Sequence, residues 1–113
     1  MAIQNWSDSI IVAELSDDPQ FSDEMAALAE QIARRPCNVV LNLQAVGYMN
    51  SSCIAKLLRL RKQMLSGDRR MIICGANNQV WGVLMVTGLD KIFEFTKDIS
   101  TALAKMQLGN IVA

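Results

Sequence analysis

Apolar positions recur along the chain in two alternating rhythms, short continuous runs and longer spaced stripes. Ser9–Leu15 (SIIVAEL) is a run of Ile and Val that predicts a strand, and residues around Ile3–Trp6 can pair beside it. Ser16–Gln20 contains Asp17, Asp18 and Pro19, the chemistry of a turn. Beyond it, Ser22 is placed to cap a helix whose first turn carries Asp23 and Glu24, where carboxylates favour the positive end. Met25, Leu28, Ala29 and Ile32 form its buried face, and Arg34-Arg35-Pro36 stops it. Asn38–Leu43 (NVVLNL) is nearly unbroken in its apolar character, which predicts an interior strand covered on both faces.

The second half repeats the alternation. Ile54–Leu65 is an amphipathic helix with Ile54, Leu57, Leu58, Met64 and Leu65 on its apolar arc, and Arg61 near the centre of that arc with its stem on apolar surface. Either Asn50 or Ser51 can cap it. The opposite face collects Ser52, Lys56, Arg59 and Gln63, with Lys62 beside them. Gly67 ends the helix, and Met71–Cys74 (MIIC) is a second buried strand. A helix near Asn78–Val86 follows, with Trp81 read as core, and then Ile92–Phe95 as a strand near the sheet edge. Asp98 caps a last helix over Ile99–Gln107, ahead of a short apolar tail. Strands and helices in strict alternation predict one α/β domain over residues 1–113, with a mostly parallel sheet of four or five strands and about four helices.

Composition narrows the chemistry. At 51% hydrophobic, the 113 residues can bury a proper core. Zero formal net charge argues against nucleic acid as the main partner, because a phosphate backbone selects clearly basic domains. No apolar run is long enough to insert in a membrane, and Met1–Asp8 is too polar for a signal peptide. Three cysteines without CxxC spacing read as reduced thiols of a cytoplasmic protein, with Cys37 and Cys74 in the core and Cys53 half-buried. There is no histidine, which removes His-based metal sites and His-assisted triads. Without a Gly-rich phosphate loop or a readable acid–base pair, nothing calls for a cofactor, a metal or a catalytic residue.

What remains is the stretch Tyr48-Met49-Asn50-Ser51-Ser52-Cys53 at the head of the amphipathic helix. Two hydroxyls stand at the positive end of a helix, above the stripe Lys56, Arg59 and Lys62. Free amides and the helix dipole make such an end a good place for a phosphate. Helix capping alone also explains the serines, and a solvated face explains the stripe as well as a partner surface does.

The segment VVLNLQAVGYMNSSCIAKLLRLRKQ, then MIICGAN, then VTGLDKIFEF, resembles a STAS domain, and more narrowly the bacterial anti-sigma factor antagonists. In that family a buried strand ends in a loop carrying Asp-Ser-Ser/Thr-Gly at the start of an amphipathic helix. A later Ser/Thr-Gly-Leu segment is matched here by Thr87-Gly88-Leu89. The resemblance implies a protein-binding switch that regulates transcription, not an enzyme. Its members bind an anti-sigma factor, often itself a serine kinase, which phosphorylates the first serine of the motif, and a phosphatase resets it.

Carried over, that serine is Ser51, with Ser52 in the second position. The implied partner surface gathers Asn50, Ser52, Cys53, Lys56 and Arg59, together with Asp18 from the loop expected beside the serines. Two departures stand out. Asn50 replaces the family's Asp, and Cys53 replaces its Gly, where a side chain would stand in the way of a close partner backbone. They open the alternative of a STAS scaffold subunit that never receives phosphate, in a transporter complex or a sensory assembly.

Overall fold

The computed structural model describes residues 3–109. Five strands, β1 (Ile3–Asn5), β2 (Ile10–Ser16), β3 (Asn38–Ala45), β4 (Met71–Cys74) and β5 (Glu94–Thr96), form one sheet in that order. β1 pairs antiparallel with β2, and every later pairing is parallel. Four helices complete the fold: α1 (Gln20–Arg34), α2 (Ser51–Ser66), α3 (Asn78–Val86) and α4 (Ile99–Gly109). β3 and β4 are interior neighbours, and their residues from Val39 to Leu43 and from Met71 to Cys74 are all buried. The short apolar tail beyond Gly109 lies outside the described residues.

Side chains alternate across the sheet, so the core divides in two. Val39, Leu41 and Leu43 face α1, α2 and α3 with Phe21, Leu28, Leu57 and Leu84. Val12, Val40 and Ile72 face α4, which covers them with Ala102 and Met106. The first layer is much the larger, and it holds α2 against the sheet by Cys53, Leu57, Leu60 and Met64.

Those four residues correct the expected apolar arc of α2. Their spacing is itself a clean helical stripe, and it rotates the buried face away from Leu58 and from Leu65, which is 60% exposed. Ile54 is only half-buried. Arg61 therefore stands on a flank and not at the centre, where its Nε donates to the Ile92 carbonyl at 3.2 Å. In α1 the buried face begins at Phe21, and Ser22 is not the cap. The helix has already started at Gln20, so Ser22 lies in its first turn, where Asp18 Oδ1 accepts from both its N–H and its hydroxyl.

Trp81 departs from its expected core position. It is 36% exposed, its ring meeting Phe95 edge-on at 4.9 Å. β5 begins two residues later than expected because a one-turn helix, Leu89–Lys91, is inserted after Gly88. That turn needs Gly88 at φ 76°, a left-handed conformation that suits glycine. Arg70 fastens the opposite end of the sheet. Its backbone N–H donates to Asn38, its guanidinium grips both oxygens of Glu94, and it reaches the Lys105 carbonyl of α4.

Candidate partner-docking site

The site is the segment from β3 into α2, and it is fixed before the first serine is reached. Val46 and Met49 turn into the core, leaving Gly47 and Tyr48 on the surface side. The Gly47 N–H donates to Asp17 Oδ1 at 2.8 Å, so the loop between β2 and α1 clamps the serine loop from one side. A Cβ at Gly47 would stand 3.3 Å from the other Asp17 oxygen, tighter than a side chain normally sits. From the other side, Asn77 Nδ2 donates to the Val46 carbonyl at 2.9 Å. The same Asn77 caps α3 by accepting the Val80 N–H at 2.8 Å. Both clamps are side chains that satisfy backbone groups a buried loop would otherwise leave unpaired.

Asn50 is the cap of α2. Its Oδ1 accepts the Cys53 N–H at 2.9 Å, which settles the choice between Asn50 and Ser51. Ser51 is then the first residue of the helix and is exposed. Its side chain takes no part in the hydrogen bonds among the described residues. Ser52, also exposed, accepts from Lys56 Nζ at 2.7 Å, one turn along the helix. Arg59 and Lys62 continue the exposed basic stripe. Gln63 leaves it, turning inward to donate to the Ala29 carbonyl of α1 at 2.9 Å. Between α1 and α2 lies a groove of about 240 Å³, with Met25 and Leu60 in its lining and Lys56 and Arg59 on the same wall.

Cys53 is buried to 2% exposure, not half-buried, and its side chain packs into the core. A side chain at this position therefore adds nothing to the exposed surface of the helix end. Its thiol instead faces the β2–α1 loop and donates to Asp18 Oδ2 at 3.7 Å. Burial above all, reinforced by the Asp18 carboxylate, pushes the thiol pKa up, which keeps it protonated and unreactive. Asp18 shifts the opposite way. The Ser22 hydroxyl foremost, helped by the Ser22 N–H, the Cys53 thiol and Lys56, holds its carboxyl below the usual range against the opposing effect of burial.

The structure thus brings Asp18, Asn50, Ser51, Ser52, Cys53 and Lys56 together around one helix end, with Arg59 one turn further along the same helix. Two anchoring contacts are not legible in the sequence, that of Asp17 with Gly47 and that of Asn77 with Val46. Asp17 was indistinguishable from a turn former, and Asn77 from an ordinary residue ahead of a helix. The available signal is Gly47, two residues past the end of β3, a residue type that admits close approach.

Family comparison agrees with this architecture. The STAS domain model matches residues 9–102, and the chain belongs to the STAS domain family. Among solved structures, the chain is similar to an anti-sigma factor antagonist (STAS) domain protein from Planctomyces limnophilus, with 18% identity and a TM-score of 0.79 over 93% of this chain and 97% of that one. It is similar to a serine-to-glutamate variant of RsbS from Moorella thermoacetica, with 16% identity and a TM-score of 0.78 over 100% of each. The unphosphorylated form of the anti-sigma factor antagonist SpoIIAA matches with 14% identity and a TM-score of 0.79 over 95% of each chain. At these identities the likeness is one of fold. No helix among the described residues is long and apolar enough to cross a membrane.

Proposed function

We propose that the protein is an anti-sigma factor antagonist, a cytoplasmic regulator of transcription that acts by binding, without turnover. Its partner in this reading is an anti-sigma factor with serine kinase activity, its switch is phosphate on Ser51, and a phosphatase resets it. The observation that carries the reading is Ser51 itself, an exposed hydroxyl at the first position of a sixteen-residue helix. Its loop is clamped on both sides by Asp17 and Asn77. A docked kinase meets this hydroxyl on a rigid platform. The partner surface in this reading is formed by Asn50, Ser52, Lys56, Arg59 and the Asp18 loop, with Cys53 packed beneath them.

Phosphate at Ser51 suits the helix end and spoils the docking surface. About −1.5 to −2 charges are added where helix N–H groups and the dipole favour an anion. Lys56, one turn away, adds a cation. The fold therefore tolerates the modification. A partner fitted to the neutral hydroxyl meets new bulk, a desolvation cost and altered charge.

One observation favours a second reading, a STAS scaffold subunit that is never phosphorylated. Asn50 offers a neutral amide where the family has a carboxylate, and its Oδ1 is engaged in the helix cap. Intact mass of the protein purified from its native host separates the two. The switch reading expects a phosphorylated fraction that disappears in Ser51→Ala. A single unmodified mass under every growth condition would leave the scaffold.

A further inference from the structure

On the face of the sheet opposite α2, one row of residues changes character. The parallel register aligns Glu14, Asn42, Cys74 and Thr96 across β2, β3, β4 and β5. The preceding row begins Val12, Val40, Ile72 and lies under α4. This row, polar at Glu14, Asn42 and Thr96 while Cys74 packs with the α4 cluster, lies toward the carboxyl ends of the strands, the rim at which open α/β sheets take ligands. Two adjoining hollows open there, about 520 and 370 Å³, and they share Asn42 and Gln44. Both are broad and open to solvent, with room for a small molecule.

Asn42 lines both hollows and is 8% exposed, the buried polar side chain among the described residues. Its Oδ1 is committed to the Gln44 N–H at 3.0 Å. Its Nδ2 has no partner among the described residues, yet it is not sealed from solvent, so two N–H donors open into the hollow. A valine would fill the row as it does at position 40; the amide instead leaves donors on the water-facing side. The backbone is shaped around this amide as well. Gly75, at φ +74°, passes so close that a Cβ there would meet Asn42 Oδ1 at 2.5 Å.

The lining carries both signs of charge. Glu14 stands on one side of Asn42, and Lys97, Asp98 and Ser100 on the other. Asp98 is partly engaged, capping α4 through the Thr101 N–H at 2.8 Å. A multiply charged anion is repelled by Glu14 and Asp98, and a purely apolar ligand leaves the Asn42 donors unmet. We propose that this hollow is a binding site for a small zwitterion of the amino-acid class, whose carboxylate accepts from Asn42 Nδ2 and Lys97 and whose ammonium faces Glu14, the carboxylate not engaged in a helix cap. The site lies across the sheet from α2 and does not depend on the modification of Ser51.

The test is a titration of the isotope-labelled full chain with L-alanine and L-glutamine, followed by the Asn42 side-chain NH2 resonances and the Gly75 amide. Saturable shifts of both signals are expected with at least one amino acid, and weaker binding of acetate alone. Asn42→Asp keeps the acceptor for Gln44 but replaces the donor, and should weaken binding about tenfold or more. Lys97→Ala and Glu14→Gln alter exposed residues without touching the core, and each should weaken binding severalfold, so the test survives if Asn42→Asp fails to fold. The proposal is overturned if neither amino acid moves the Asn42 resonances, if acetate binds as tightly, or if the folded variants bind like the parent.

Discussion

The Asp17 carboxylate accepts the Gly47 N–H across 2.8 Å, joining two loops that lie thirty residues apart in the chain. Nothing else in the β2–α1 loop holds the backbone of the serine loop so directly. Asp17→Ala strips a partly buried N–H of its acceptor and should cost about 1–2 kcal/mol of stability. Amide exchange should accelerate at Gly47 before it does in β3. Asp17→Asn keeps an acceptor oxygen and should recover most of the loss. A uniform rise in exchange across the whole sheet would show that the clamp is not local.

The cap offers a second test. Asn50→Ala removes the acceptor for the Cys53 N–H and should cost about 1 kcal/mol in denaturant unfolding. Asn50→Asp keeps the cap and should change stability by no more than about half a kcal/mol. It restores the family's carboxylate beside Ser51, so a cognate kinase should phosphorylate this variant faster than the parent in a labelled-phosphate time course. Equal, near-zero incorporation in both proteins would instead support the scaffold.

Asp18 makes the fold acid-sensitive. Its folded-state pKa lies below the ordinary value of 3.8, so its charged form favours the folded state. That stabilisation is present at neutral pH and is lost as pH falls below about 4 through the folded value. Asp18→Asn cannot titrate. In urea unfolding the parent should be the more stable at neutral pH, and the two proteins should converge as the solution is acidified. A gap that stays constant with pH would contradict the role of the Ser22 and Cys53 contacts.

Alkali acts at the opposite face. Burial first, and then Asp98, pushes the Cys74 thiol from 9.0 up to about 11. A raised pKa stabilises the fold fully below the unfolded value, and that contribution fades as pH climbs through the folded one. Stability should therefore fall by up to about 3 kcal/mol as pH rises from 9.0 to about 11. Cys74→Ala should be less stable at neutral pH and show a shallower alkaline decline.

Most of the scaffold was legible because its strands and helices differ so plainly in rhythm. Asn38–Leu43 and Met71–Cys74 read as interior strands from unbroken apolar runs, and they are neighbours in the sheet. The helix over Asn78–Val86 was placed to the residue. Errors arose where a local signal has two solutions. The arc of α2 was drawn through Leu58 and Leu65, which are hydrophobic but exposed, while Cys53 carries the packing that a thiol seldom advertises. Ser22 has the residue type of a cap, but Asp18, four residues earlier, had already taken the role of satisfying that turn. The clamps at Asp17 and Asn77 and the donors of Asn42 depend on which strands and loops meet. No spacing within one segment reveals such a meeting.

Affinity for the cognate anti-sigma factor, measured for the parent, Ser51→Ala and Ser51→Asp with matched circular dichroism, tests the switch most directly. Parent and Ser51→Ala should bind alike, while Ser51→Asp should keep the fold and lose at least about tenfold in affinity, roughly 1.4 kcal/mol. Equal affinity of all three proteins would contradict a phosphate switch at Ser51.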